Sequence, residues 1–210
     1  AECCPCRGGG RYPQLEHHGR ISTKLRAGKP DYKTEIDKYY PADSIVRGIL
    51  LTHSGQVRDL ALRINAERQL EIDPDSIEAA AMLHDIGIIF TDAPALDCHG
   101  TEPYMRHGIV GADLLRSDGV DEYLARVAER HTGAGLTADD IIAQQLPLDP
   151  TRDYMPQTTL ERLICYADCF YSKSGDMQKK SLKRVRASMA RLGEAVARRF
   201  EALVNEFGEV

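Results

Sequence analysis

The stretch Pro74-Asp75-Ser76-Ile77-Glu78-Ala79-Ala80-Ala81-Met82-Leu83-His84-Asp85-Ile86-Gly87 opens on a helix-start signal and runs through five apolar residues to a histidine and an aspartate. Proline suits the first helical turn, because the N–H it lacks has no intrahelical partner there anyway. A short helix that is apolar nearly all round belongs at the centre of a bundle. His84 and Asp85 are therefore expected at the buried end of a central helix, with Gly87 closing it in the left-handed conformation.

Working outward, Asp43 or Ser44 can cap a preceding helix on which Ile45, Ile49, Leu50, Val57, Leu60 and Ile64 return at three- and four-residue steps, with His53 on the same stripe. Downstream, the pattern predicts helices over 102–116, stopped at Ser117-Asp118-Gly119, and over 120–131, stopped by Gly133 and Gly135. A short helix capped by Thr137 runs over 137–144, and another starts at Thr158 or Thr159 and carries Leu160, Leu163, Ile164, Ala167 and Phe170. One last long helix is expected to hold Leu182, Val185, Met189, Leu192, Val196, Phe200 and Leu203 on its buried face. No strand-like alternation of useful length is present. The expected fold is all-α, a bundle of about six to eight helices.

The chain has 210 residues, 42% of them hydrophobic and 28% charged. That length suits one domain and lets folding bury roughly 70% of the surface of the extended chain. The charge balance of 27 basic to 32 acidic residues, net -5, argues against a protein built to hold a nucleic-acid backbone. No apolar run is long enough to span a membrane, and AECCPCRGGG does not read as a signal peptide, so a cytoplasmic protein is expected. The six cysteines are then reduced thiols, and Cys3, Cys4 and Cys6 lack a second pair that would complete a zinc site. Residues 1–42, with Gly8, Gly9, Gly10, Pro30 and Pro41, read as an arm packed on or beside a helical domain over 43–210.

Within that domain His53, His84, Asp85, His107, His131 and Asp168 each lie on or just beyond a predicted helix, on its inward side or at its end. Burying several such groups without a common partner is costly. Imidazole and carboxylate together suit divalent transition metals, and a bundle core can collect ligands from several helices. One or two ions are expected, iron or manganese first, with zinc or nickel as alternatives.

The ordered set resembles the HD metal-dependent phosphohydrolase superfamily, in the branch whose central motif reads HDIG, here His84-Asp85-Ile86-Gly87, over about residues 43–175. The resemblance implies that His53, His84, Asp85 and Asp168 hold one metal. It implies that His107, in Arg106-His107-Gly108, and His131, in Arg130-His131-Thr132, hold a second, with Asp85 as the bridging candidate. The implied activity is hydrolysis of a phosphate monoester or phosphodiester in a small nucleotide or phosphorylated metabolite by metal-activated water, with two ions about 3.5–4 Å apart. Many phosphodiesterases with this motif carry lysine after the glycine; Ile88 stands here, which speaks against cyclic-dinucleotide hydrolysis.

A phosphate also needs cations, and Arg58, Arg106, Arg130 and Lys173 are nearest in sequence, Arg130 and Lys173 being the favoured substrate-facing pair. The partner is thus a small anionic phosphorylated molecule, with neither membrane nor nucleic acid expected and a homodimer as the candidate assembly. Two other functions fit the same residues: a mixed-valence di-iron oxygenase of the same fold, and a non-catalytic nucleotide-binding signalling module.

Overall fold

Asp31 caps the first helix of the computed structural model, which describes residues 31–210; its carboxylate accepts the Thr34 N–H at 3.3 Å and starts α1 (Tyr32–Tyr39). The expectations for Cys3, Cys4, Cys6 and the glycine run lie outside the described residues. The sequence suggested no helix before residue 43. Yet α1 buries Tyr32 and Ile36 in the main core, and the Tyr40 hydroxyl that follows donates to the Ile86 carbonyl at 2.7 Å. Those contacts tie the helix to the segment just after Asp85.

Ser44 rather than Asp43 caps α2 (Ile45–Arg68), accepting from the Arg47 N–H at 3.3 Å. Its buried stripe begins at Val46 and continues through Leu50, His53, Val57, Leu60, Ala61 and Ile64, the 3.6-residue period of one helix face. Ile45, read from sequence as part of that stripe, is 66% exposed. Each fully buried aliphatic residue of this kind contributes about 1.5–3 kcal/mol relative to exposure. Asp73 caps α3 (Pro74–Leu83), whose Ile77, Ala79, Ala80, Ala81, Met82 and Leu83 are all buried, as its composition requires of a central helix.

Gly87 does not take the left-handed conformation expected of it. It lies in a 3-10 turn, Ile86–Phe90, and its backbone has no positive φ. Its lack of a side chain serves close approach instead: a Cβ there would stand 2.2 Å from the His107 carbonyl oxygen and 2.5 Å from the Gly111 nitrogen. Both obstacles are backbone, so Gly87→Ala must push the next helix away from α3. The expected result is a thermal midpoint lower by roughly 5–10 °C, read by circular dichroism. An unchanged midpoint contradicts this packing.

Three short strands interrupt the helices, which the sequence reading did not expect. β1 (Thr91–Ala93) pairs antiparallel with β2 (Cys98–His99) and parallel with β3 (Glu102–Pro103), in register Asp92 to His99 and Thr91 to Glu102. Glu102 and Pro103 are thereby held extended, and proline gives no N–H to a helix ladder. The helix expected from residue 102 therefore starts later, as α4 (His107–Ser117).

α5 (Glu122–Arg130) ends just before His131. Thr137 and Asp140 form a reciprocal capping box on α6 (Ala138–Ala143), and Thr158 caps α7 (Thr159–Asp168). The long terminal helix is two: Gly193, at φ 127°, separates α8 (Leu182–Leu192) from α9 (Glu194–Phe207). The break turns Leu192 outward to 47% exposure, while Val185, Met189, Val196, Phe200 and Leu203 keep their buried places. With α1 and this division, the described residues hold nine α-helices rather than six to eight.

The core is mainly helix on helix, α2 on α3, α4 on α5 and α7 against both α2 and α9, with α5 also packed on α3 and α7. Among the described residues Cys98, Cys165 and Cys169 are free and buried. No helix among them is long and apolar enough to cross a membrane.

Candidate metal centre

Helix ends deliver most of the expected ligands. His84 is the residue after α3, His131 follows α5, His107 opens α4 and Asp168 closes α7; His53 alone comes from mid-helix, in α2. All five, with Asp85, converge. His53 Nε2 lies 2.9 Å from Asp168 Oδ1 and 3.2 Å from Asp85 Oδ2, and His84 Nε2 lies 3.1 Å from the same Asp85 oxygen. The other oxygen, Asp85 Oδ1, is 3.3 Å from His107 Nε2 and 3.3 Å from His131 Nε2. Two ligand groups result, His53-His84-Asp85-Asp168 and Asp85-His107-His131, joined by Asp85.

Backbone carbonyls set the orientation of three of the rings. His84 Nδ1 is 2.6 Å from the Ala81 oxygen, His107 Nδ1 2.7 Å from the Tyr104 oxygen, and His131 Nδ1 2.8 Å from the Ala128 oxygen. A carbonyl only accepts, so each Nδ1 carries the proton and donates it. Each Nε2 is thereby aimed inward, the arrangement that outer hydrogen bonds give to metal-binding histidines.

The polar atoms at the centre fit a cation. Asp85 Oδ1, Asp168 Oδ1, His84 Nε2 and both His53 nitrogens are buried without a hydrogen bond of good geometry, and Asp85 Oδ2 has only the Lys173 ammonium and imidazole edges around it. His107 Nε2 and His131 Nε2 face each other at 3.0 Å, and burial pushes His107 down to about 3, so it stays neutral. Two imidazole lone pairs at that distance repel unless a cation lies between them or beside them. Buried polar groups of this number need such a partner.

Lys173 adds a fixed positive charge: its Nζ is 2.8 Å from Asp85 Oδ2. Burial opposes the charge, but Asp85 and Asp168 outweigh it and hold the ammonium well above the ordinary lysine range. Asp85 is itself held well below the usual carboxylate range; burial works against ionisation, and His84 and Lys173 more than offset it. Lys173 arrives here because α7 stops at Asp168 and the chain turns back, the Tyr171 N–H donating to the Asp168 carbonyl at 3.1 Å.

Arg130 does not join the cluster in this way. Its guanidinium is committed to Glu161, 3.1 Å from Oε2, and to the Asp153 carbonyl at 3.2 Å. This buried pair ties the end of α5, next to His131, to the first turn of α7, the helix that ends in Asp168. Arg58 pairs with Asp59, and Arg106 with Glu102.

Tyr104 went unnoticed in the sequence. Its carbonyl holds His107, its ring stacks on the His107 imidazole with centroids 4.8 Å apart, and Lys173 Nζ lies 6.0 Å from its ring centre. The available signal was its place three residues before a ligand, the same offset at which Ala81 and Ala128 precede His84 and His131. A cavity of about 420 Å³ opens beside Tyr104, Asp168 and Lys173. A larger one, about 630 Å³, lies between Pro41, Phe90, His99 and Val110 and is lined by none of the six ligand candidates.

The charge state predicts how metal binding depends on pH. Burial opposes a charge on His84, but Asp85 and Asp168 raise its pKa from 6.5 to about 10 in the metal-free chain. A raised folded-state pKa gives stability that is fully present below about pH 6.5 and lost as the pH climbs toward the folded value. A metal uses the same Nε2 and displaces that proton. The gap in thermal midpoint between manganese-loaded and metal-free protein should therefore widen from pH 6 to pH 8.5. A gap that narrows over that range contradicts the assignment of His84.

Sequence comparison places this centre in a family. An uncharacterized protein of Methanocaldococcus jannaschii is 41% identical over 110 residues, which is 52% of this chain and 56% of that protein. Two proteins named tRNA (cytidine(56)-2'-O)-methyltransferase are also similar. The one from Picrophilus torridus is 33% identical over 64% of this chain and 35% of its own length, and that from Thermoplasma volcanium 30% identical over 62% and 33%. The chain thus spans about half of the first relative and a third of the other two. No solved structure is significantly similar. The HD domain profile matches residues 50–172, more than half of the chain and a span that includes all six converging side chains and ends just before Lys173, and the chain belongs to the HD domain family.

Proposed function

We propose that the chain is a metal-dependent phosphohydrolase that cleaves a phosphate ester of a small nucleotide or phosphorylated metabolite. The observation that carries this reading is the sharing of Asp85 between two ligand groups, with Lys173 against the same carboxylate and at the wall of the adjoining cavity. His53, His84, Asp85 and Asp168 would hold one divalent ion, and Asp85, His107 and His131 a second. Iron or manganese is the preferred metal for this mixture of imidazole and carboxylate. The ions supply Lewis-acid activation of water and charge neutralisation for phosphate oxygens.

The side chains of this protein do the rest. Lys173 keeps its proton and offers a cation to an incoming phosphate, while Asp85 and Asp168 keep their negative charge without taking that proton. The Ala81, Tyr104 and Ala128 carbonyls hold the imidazoles in one tautomer. Arg130 becomes a positioning residue through Glu161. The overall step forms a bond from water oxygen to phosphorus, breaks the ester P–O bond and leaves a water proton on the departing alcohol.

The match covers about a third of each methyltransferase-named relative and does not carry their activity to this chain. The test is a split assay of anaerobically purified protein with iron or manganese restored, following phosphate release from small esters in one arm and oxygen uptake in the other. Phosphate release is expected. Oxygen uptake coupled to substrate oxidation, with no phosphate released, favours the di-iron oxygenase instead, and bound nucleotide returned unchanged favours a binding module.

A further inference from the structure

The cavity beside the centre carries information about the substrate that the ligands do not. At about 420 Å³ it lies near the lower end of the range for small-molecule sites, about 300–1,000 Å³. Of the residues that line it, Asp168 and Lys173 are the charged ones; Ala93, Ala95, Leu96, Tyr104, Tyr171, Ser172 and Ser174 complete the wall. One phosphate directed at the centre therefore meets the one cation of the wall. A second phosphate would lie among small apolar side chains and two serine hydroxyls. Lys179 and Lys180, the next cations along the chain, are not part of the wall: Lys179 Nζ lies over the Phe170 ring, 5.5 Å from its centre, and Lys180 donates to the Cys169 carbonyl at 3.1 Å. A charge enclosed without a counter-charge is disfavoured.

The rest of the wall favours the opposite chemistry. Tyr104 packs its ring on His107, at an interplanar angle of 23°, yet remains 37% exposed, one of few large hydrophobic side chains that do so. A tyrosine ring that lines a cavity and keeps a third of its surface open offers a flat group an offset or edge-on aromatic contact, here with Lys173 Nζ 6.0 Å from the ring centre. Tyr171 lines the same cavity.

We infer that the site selects an ester with a single phosphate and a flat, uncharged remainder, the phosphate toward Lys173 and the flat group on Tyr104. This rests on the phosphohydrolase reading and narrows it. Polyphosphates are poor substrates, and an ester without a flat group loses the contact with Tyr104.

The test compares benzyl phosphate, ethyl phosphate and inorganic pyrophosphate on the metal-loaded full chain. Both esters release a primary alcohol, so the comparison isolates binding of the flat group. The ratio of kcat/KM for benzyl over ethyl phosphate is expected near tenfold, falling about five- to tenfold in Tyr104→Leu, the size of one aromatic contact. Because partial loss of metal scales both substrates alike, the ratio reports the contact and not occupancy. Tyr171→Leu provides a second variant with the same readout. A ratio near one in the native chain, a ratio unchanged in both variants, or pyrophosphate turned over faster than benzyl phosphate overturns the inference and leaves the hydrolase reading standing. No phosphate from any of the three overturns both.

Discussion

Asp85→Asn is expected to empty both metal groups in a single substitution. Asp85 is the residue common to them, with Oδ2 toward His53 and His84 and Oδ1 toward His107 and His131. An amide supplies one neutral oxygen where two anionic ones stood, and its NH2 group would point at imidazole lone pairs or at Lys173. Loss of about 4 kcal/mol of charge stabilisation corresponds to a rate roughly a thousandfold lower, and loss of both ions costs at least that. Elemental analysis and phosphate release, measured on protein whose circular dichroism remains helical, check the result. Bound metal at the native level in Asp85→Asn would sink the idea of a shared ligand.

His131→Ala separates the two groups. Its Nε2 contacts Asp85 Oδ1 and His107 Nε2, and it belongs to the second ligand group only. The four residues of the first group are untouched, so one ion should remain and phosphate release should fall by about a hundred- to a thousandfold, the cost of removing one preorganised source of positive charge. Anaerobic metal analysis with single-turnover kinetics reads both effects. Turnover close to the native rate demotes the second ion to a bystander. His84→Ala should instead lose the first ion, so the pair of variants assigns each ion to its own residues.

The ligands were legible because their neighbours announce where helices begin and end. Pro74 and the alanine run place His84-Asp85 at the end of a buried helix, and Gly133 marks the stop beyond His131. Periodicity alone put His53 on the buried face of α2. Nothing local encodes the turn that returns Lys173 to Asp85; the signals for Lys173 are its chain proximity to Asp168 and the resemblance of the Phe170-Tyr171-Ser172-Lys173 tail to other HDIG proteins. Other features depend on partners distant in sequence. Arg130 meets Glu161 across 31 positions, and Gly87 meets the backbone of His107 and Gly111, contacts that no local pattern encodes. The strands were missed because each is only two or three residues long, too short for alternation to register. Gly193 was read as part of a continuous helix because the apolar spacing crosses it without a gap in phase.

The central claim is that Asp85 joins two metal sites. Manganese titration of the native, metal-stripped full chain, followed by calorimetry and elemental analysis, tests it most directly. The account predicts about two ions per chain and proton release that accompanies loading near neutral pH, as metal replaces the proton on His84. Saturation at one ion, with binding unchanged in His107→Ala and His131→Ala, would contradict it.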